Sequence, residues 1–339
     1  MPSLVGSEMC IRDSLGPVPL VLSAKSEEAL RDQAKRLGAH LEDNPELLLT
    51  DVAHSLTCRS AFERRATVVG EGREELLAGL AALAGGTEGS GLVCATAQTE
   101  SHPVFLFPGQ GSQWPLMGVE LLDASPRFAA SMRACEEALE PFVEWSLEDV
   151  LRDREGAWLD RLDVVQPALF AVMVSLARLW QACGVQPAAV VGHSQGEIAA
   201  AHVAGGLSLD DAARIVALRA RAMAKIASKG AMVSVAQSPE ALGELLEPFG
   251  DRIALAAVNG PASLVLSGDP EPLEELLAGC EKEGIHAKRI AVDYAAHSAQ
   301  IDALEAELLE GFAPISPQSG EIPFHSTLFG ERIDTATLD

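Results

Sequence analysis

Ala188-Ala189-Val190-Val191-Gly192-His193-Ser194-Gln195-Gly196-Glu197-Ile198-Ala199-Ala200-Ala201-His202-Val203-Ala204 is the run that decides how this chain is read. Ala188–Val191 is a short buried strand, and Glu197–Ala204 is a helix of small residues. Between them lies Gly-His-Ser-Gln-Gly, a turn with room for a sharp reversal because its first and last residues carry no Cβ. A strand that feeds a helix directly through such a turn belongs to a parallel α/β sheet. The five residues match the Gly-x-Ser-x-Gly elbow, which presents its serine at the carboxyl edge of the sheet. The pattern alone is weak, since an ordinary strand-to-helix turn can also carry a serine. The strand before it and the helix after it give it weight. The helix N-terminus also aims backbone N–H groups at any negative charge that develops beside Ser194.

Other segments arrange themselves around that run. Val104–Phe107 reads as a second apolar strand, ending in Pro108-Gly109-Gln110-Gly111-Ser112-Gln113-Trp114. Gln166–Cys183 is an apolar helical stretch. From Met232 the order becomes strand (Met232–Ala236), helix (Pro239–Phe249), strands (Ile253–Val258 and Ser263–Ser267), helix (Pro270–Glu283) and strand (Ala287–Val292). This βαββαβ order is ferredoxin-like. It reads as an insertion, because the helical Ala299–Gly311 and a strand near Pro323–His325 return to the larger unit. Upstream, Val18–Leu22 and Ala66–Val69 read as strands, Ser26–Leu41 and Arg73–Leu83 as helices, and Ala84–Gly91 as a loop. The expected architecture is α/β: an α/β-hydrolase-like parallel-sheet subdomain (101–230 and 294–339) with an inserted ferredoxin-like subdomain (231–293), preceded by a small α/β linker domain (17–100). Residues 1–16 have neither a basic n-region nor an apolar core, join no periodic pattern, and read as a cloning or sequence-assembly scar.

Composition narrows the function classes. With 339 residues, 48% of them hydrophobic and only 4% aromatic, the chain can build a sizeable aliphatic core in two or three units. A formal net charge of −24 argues against nucleic-acid or anionic-membrane binding. The six cysteines are widely spaced without a CxxC pair, which suggests neither a disulfide framework nor a zinc site and fits a reducing cytoplasm. No apolar run reaches the roughly 18 residues that a membrane span requires.

A serine needs a base to become a nucleophile. His193 adjoins Ser194, but neighbours on a tight turn point apart. His297, in Tyr294-Ala295-Ala296-His297, stands where the insertion hands back to the larger unit and is the best base available. Arg219 is placed by periodicity. Ser208 caps a helix with Asp211 three residues on, and the apolar stripe of that helix runs through Ala212, Ile215, Val216, Ala222, Met223 and Ile226. At 100° per residue Arg219 falls within the stripe, while Arg214, Arg221 and Lys225 lie opposite. An inward guanidinium needs an anion. That anion is either an internal carboxylate or the carboxylate of a substrate. The Pro108–Ser112 loop lacks the spacing of a phosphate-binding loop and suits a second oxyanion-hole N–H. No metal-ligand signature is present.

Taken together, FPGQGSQW (Phe107–Trp114), QPALFAV (Gln166–Val172), GHSQGEIAAAHVAGGLSLDDAARIVALRA (Gly192–Ala220) and AVDYAAHSAQID (Ala291–Asp302) resemble the acyltransferase domains of type I modular polyketide synthases. Residues 17–99 look like the linker that joins a ketosynthase to such a domain. The resemblance implies Ser194 as nucleophile, His297 as base, Arg219 as the clamp for an extender's free carboxylate, and oxyanion N–H groups from Gln110 and Gln195. Gln166, His193 and Asn259 would line the site, and a backbone carbonyl near Ser326 would orient the histidine. It also implies an acyl-CoA substrate, an acyl carrier protein whose phosphopantetheine thiol receives the acyl group, a neighbouring ketosynthase, and no bound cofactor. Arg161-Leu162-Asp163-Val164-Val165-Gln166 and GHSQG resemble the methylmalonyl-type pattern, and Tyr294-Ala295-Ala296-His297 departs from its YASH motif by one hydroxyl. Small Ala296, where malonyl-type domains carry Phe, leaves space for an α-methyl group. By this resemblance Asp339 falls short of where the domain normally closes. Two other readings remain open: a serine hydrolase or thioesterase with Asp269 or Asp293 as its acid, and an inactive scaffold module.

Overall fold

The computed structural model describes residues 16–97, 102–226, 230–290, 292, 294–297 and 299–338, in two units, Met1–Ser101 and His102–Asp339. The first unit is a three-stranded antiparallel sheet with helices. Strand β1 (Val18–Ala24) leads to helix α1 (Glu27–Asp43), helix α2 (Leu49–Thr57), strand β2 (Arg64–Gly70), helix α3 (Arg73–Gly85) and strand β3 (Leu92–Thr96), in sheet order β1-β2-β3. Ser26 caps α1 by accepting from the Ala29 N–H at 3.2 Å. Two of these elements are not expected from sequence. Helix α2 follows Leu48, which offers no side-chain cap, so no start signal marks it. Strand β3 is exposed along nearly all its length and shows no alternation. It is reached through Gly91, at φ +70°, where a Cβ would lie 2.1 Å from the Val69 carbonyl oxygen.

In the second unit, strand β4 (Val104–Phe107) is followed by α4 (Val119–Ala124), α5 (Pro126–Leu139), α6 (Leu147–Arg152) and α7 (Leu162–Ala182). The first three helices lie where the sequence reading places no element, although Ser125 and Ser146 cap α5 and α6 through the Phe128 and Asp149 N–H groups. Helix α7 is long and apolar enough to cross a membrane by composition, yet 78% of its apolar window is buried inside this fold. It is the core helix, and α5, α6 and α9 pack around it. Next come β5 (Ala189–Gly192), α8 (Gly196–Ala204) and α9 (Leu209–Ala224).

The chain then leaves for the ferredoxin-like subdomain: β6 (Ala231–Val235), α10 (Pro239–Leu246), β7 (Ile253–Gly260), β8 (Ser263–Gly268), α11 (Pro270–Glu283) and β9 (Ala287–Arg289). The sheet is antiparallel in order β7-β8-β6-β9 and closes over Val233, Leu242, Leu264, Leu266, Leu273 and Leu276. The chain returns through a 3₁₀ turn at Ala299–Leu304, α12 (Glu305–Phe312), β10 (Phe324–Ser326) and β11 (Glu331–Ile333). The large sheet has the order β11-β10-β5-β4, parallel except for its antiparallel edge β11. That edge strand is an addition to the all-parallel sheet expected.

The β4–β5–α8 corner is packed without slack. A Cβ on Gly196 would lie 2.1 Å from the Phe107 carbonyl oxygen, and one on Gly192 would lie 2.3 Å from the Glu197 nitrogen. Both neighbours are backbone, which cannot rotate away. Gly196→Ala should therefore destabilise the second unit by about 1–3 kcal/mol through overpacking, read as a lower denaturant midpoint at unchanged m-value. An unchanged midpoint would show that the corner has slack.

Candidate active site

The elbow follows from that packing. Strand β5 ends at Gly192, and Ser194 takes a left-handed backbone at φ +54°. The turn then closes with Gly196 N–H on the His193 carbonyl (2.9 Å) and Glu197 N–H on the Ser194 carbonyl (3.0 Å). His193 N–H donates back to the Phe107 carbonyl at 2.9 Å, tying the elbow to the end of β4. A non-glycine residue in this region is strained. His297 shares the feature, at φ +57°. The two meet: Ser194 Oγ lies 3.1 Å from His297 Nε2. His193 turns to solvent, as expected for a neighbour on a tight turn, with its Nδ1 near Gly109.

Electrostatics favour the neutral form of His297. Burial, then the Arg219 charge, then His193 hold its pKa below the ordinary value of 6.5. A neutral imidazole can accept a proton from Ser194 at neutral pH. Two backbone N–H groups face no protein acceptor among the described residues: that of Gln195, which precedes α8, and that of Gln110, in the turn after β4. Unpaired N–H groups at the ends of two neighbouring parallel strands are what an oxyanion hole requires. The Gln195 carboxamide is itself buried, with neither polar atom hydrogen-bonded among the described residues.

Arg219 lies where its helical phase puts it. The cap is present, with Ser208 Oγ accepting from the Asp211 N–H at 3.0 Å. Burial pulls the guanidinium pKa down, and among the described residues no carboxylate pairs with it. Instead Arg219 Nη1 donates to Gln166 Oε1 at 2.8 Å. The internal ion pair, one of the two expected partners, is thus not formed. Gln166 is buried on α7 and donates through Nε2 to Gln110 Oε1 at 3.2 Å, which also accepts from the Tyr294 hydroxyl at 3.1 Å. Tyr294 and Ala296 are buried with Leu162, Ala222, Met223 and Ile226. The opposite face of α9 is less uniformly solvated than expected. Arg214 stacks 5.0 Å from the Phe142 ring centroid and donates to the Gly311 carbonyl, whereas Lys225 pairs with Glu307.

Asn259 is exposed at the end of β7, the edge strand of the ferredoxin-like sheet, and makes no side-chain hydrogen bond to another expected site residue among the described residues. One expected role needs correction. Ser326 does not orient His297: its carbonyl accepts from the Gly330 N–H at 2.9 Å, closing the turn after β10, and Nδ1 of His297 has no acceptor among the described residues. Of the two possible acids, Asp269 precedes α11 and makes no ion pair with His297, while Asp293 lies outside the described residues.

Sequence reading also missed Glu197. Its Oε1 accepts from Ser326 Oγ (3.1 Å) and the Thr327 N–H and lies 2.9 Å from Thr327 Oγ1, fastening the turn after β10 to the first turn of the elbow helix. An acid in the first turn of a helix is ordinarily read as serving the dipole, and that reading concealed its second role.

Comparison with known proteins gives the same picture. The family model described as an acyl transferase domain matches residues 104–339, and one described as "CurL-like, PKS C-terminal" matches residues 19–80. Mycoketide-CoA synthase of Mycobacterium tuberculosis (strain ATCC 25618 / H37Rv) is 54% identical over 326 residues, 96% of this chain and 8% of that protein. Erythronolide synthase EryA3 of Saccharopolyspora erythraea is 51% identical over 329 residues, 96% of this chain and 10% of that protein. The chain thus spans about a tenth or less of the length of these relatives. Among solved structures, the acyltransferase domain from module 8 of the salinomycin polyketide synthase superposes with a TM-score of 0.89 at 52% identity, over 95% of this chain and 77% of that one. A loading acyltransferase from the avermectin modular polyketide synthase gives 0.66 at 53% identity, over 70% of this chain and 76% of that one. The elbow, the sheet that carries it and these matches agree: the chain belongs to the acyl transferase domain family of modular polyketide synthases.

Proposed function

We propose that the chain moves an α-carboxyacyl extender unit, methylmalonyl, from coenzyme A through an ester on Ser194 to the phosphopantetheine thiol of an acyl carrier protein. The observation that carries this reading is Arg219, a guanidinium beside the Ser194–His297 pair with one N–H on a glutamine and no carboxylate partner among the described residues. Four of its five N–H groups remain for a planar anion.

In the first half-reaction His297 Nε2 takes the Ser194 proton as Oγ attacks the thioester carbon. The oxyanion is held by the Gln110 and Gln195 N–H groups. Collapse breaks the C–S bond, and the imidazolium returns its proton to the departing thiolate. In the second half the carrier thiol gives its proton to His297 and attacks the ester, and Ser194 leaves with that proton. The mechanism uses no metal or cofactor beyond the two thiols. The small side chain of Ala296 supports methylmalonyl over malonyl as the acyl group, and one methyl contributes only about 1–3 kcal/mol of discrimination. The match of residues 19–80 to a polyketide-synthase segment supports a ketosynthase as neighbour.

Competition among malonyl-, methylmalonyl- and acetyl-CoA, with the acylated chain weighed intact, tests the reading directly. Methylmalonyl should dominate on Ser194, and holo carrier protein should discharge it. Discharge to water at an equal rate with and without the carrier would sink the transferase assignment. Arg219→Ala should lower kcat/KM for methylmalonyl-CoA about 10- to 100-fold, the worth of a charge-assisted hydrogen bond, and leave acetyl transfer unharmed. Equal losses for both would make Arg219 structural.

The depressed His297 pKa sets a pH signature. Protonation removes the base, so the acid limb of Ser194 acylation should have its midpoint below the ordinary histidine value of 6.5. Because the Arg219 charge is the second cause of that depression, Arg219→Ala should move the limb to higher pH, read with acetyl-CoA. A wild-type midpoint at or above 6.5 would contradict the assignment of His297 as a desolvated base.

A further inference from the structure

The chain Arg219–Gln166–Gln110–Tyr294 has a direction, and the arginine sets it. A guanidinium can only donate, so the Gln166 oxygen must face Arg219. The Gln166 amide nitrogen is thereby turned to Gln110, which must present its own oxygen. That oxygen then has one lone pair left, and the Tyr294 hydroxyl donates to it. Gln110 Oε1 is saturated by two donors, one on α7 and one on the segment that follows β9.

The backbone around Gln110 is held on either side, by Gly109 packed against His193 and by the Gly111 N–H on Gln113 Oε1 at 2.8 Å, but the Gln110 N–H itself meets no acceptor among the described residues. The residue stands in a turn between Gly109 and Gly111, and Gly111 has φ +124° with open space around it. Glycine on both sides lowers the intrinsic cost of reorienting the peptide, so contacts made by the Gln110 side chain add to its restraint. The unpaired Gln110 N–H nevertheless has to point at one place for an oxyanion to be held, and a displacement of about 1 Å in such a group can cost on the order of 100-fold in rate.

We infer that the Gln110 side chain anchors the oxyanion loop, and that Tyr294 is a positioning residue which holds that anchor. On this account the 294–297 segment does more than shape the acyl pocket. Its histidine supplies the base, and its tyrosine fixes the N–H that receives the charge the base helps to create. Exchange of Tyr294 for Phe, which removes only the hydroxyl, slows every acyl group alike. The inference rests on Ser194 as nucleophile with the Gln110 N–H in its oxyanion hole.

The test is a double-mutant cycle of Tyr294→Phe and Gln110→Ala, both of which keep the Gln110 peptide N–H. The first readout is labelling of Ser194 by a neutral fluorophosphonate, which needs a nucleophile and an oxyanion hole but neither coenzyme A nor a carrier. Each single variant should lower the saturating labelling rate about tenfold, with the half-saturating concentration little changed and melting temperatures near wild type. The double variant should be no slower than Gln110→Ala alone, since both act on one contact. Acylation by methylmalonyl- and acetyl-CoA should fall by the same factor. Multiplicative losses, or a Tyr294→Phe variant that changes only the methylmalonyl-to-acetyl ratio, would overturn the inference. Failure of the transferase reading shows separately, as a wild-type chain that labels with fluorophosphonate but gains no acyl group from either thioester.

Discussion

The approach of Gly196 to the Phe107 carbonyl is the constraint on which the rest of the second unit depends. A Cβ at 2.1 Å from that oxygen is impossible, so only glycine lets α8 start this close to the end of β4. Once it does, β4 and β5 are locked side by side, the elbow has to turn within two residues, and Ser194 is driven into a left-handed backbone. The same geometry leaves the Gln195 N–H ahead of the helix with no carbonyl to meet among the described residues. Strain at Ser194 and an unpaired N–H beside it are two results of one close contact.

Charge is arranged on a second principle, the exclusion of carboxylates. The chain is strongly acidic, with 49 Asp and Glu against 25 Lys and Arg, yet among the described residues the acids that form ion pairs do so on exposed surfaces, as with Asp123 and Arg152 or Glu307 and Lys225. At the site, the arginine meets a glutamine, Gln166, in place of a carboxylate. This keeps Arg219 available to an anion, gives the Gln166 and Gln110 amides a defined polarity, and depresses the His297 pKa through an uncompensated positive charge. One aspartate in place of Gln166 would satisfy Arg219 internally and remove the first two effects, leaving burial as the main cause that holds the His297 pKa down.

Local signals in the sequence carried much of this. Ser26 and Ser208 mark helix starts that the structure keeps, and the phase of α9 turns Arg219 inward. The βαββαβ order is matched by the sheet β7-β8-β6-β9. Some of what escaped had a signature, since Ser125 and Ser146 cap α5 and α6, but other features had none. Helix α2 lacks a cap, and β3 is too exposed to alternate. The carbonyl of Ser326 is occupied by a turn bond that spans four residues and leaves no compositional trace.

The sequence by itself determined the candidate groups and the elements that carry them: an elbow serine, an inward arginine, and a histidine at the junction of two subdomains. These follow from backbone sterics and helical phase, which act over a few residues. Only the tertiary structure decided which of them meet. It brought Ser194 to His297 across 103 positions, gave Arg219 a glutamine in place of an acid, and joined Gln166, Gln110 and Tyr294 through one oxygen atom. The reason is physical: hydrogen bonds act over about 3 Å, and residues far apart in the chain come within that distance only when the core between them has packed.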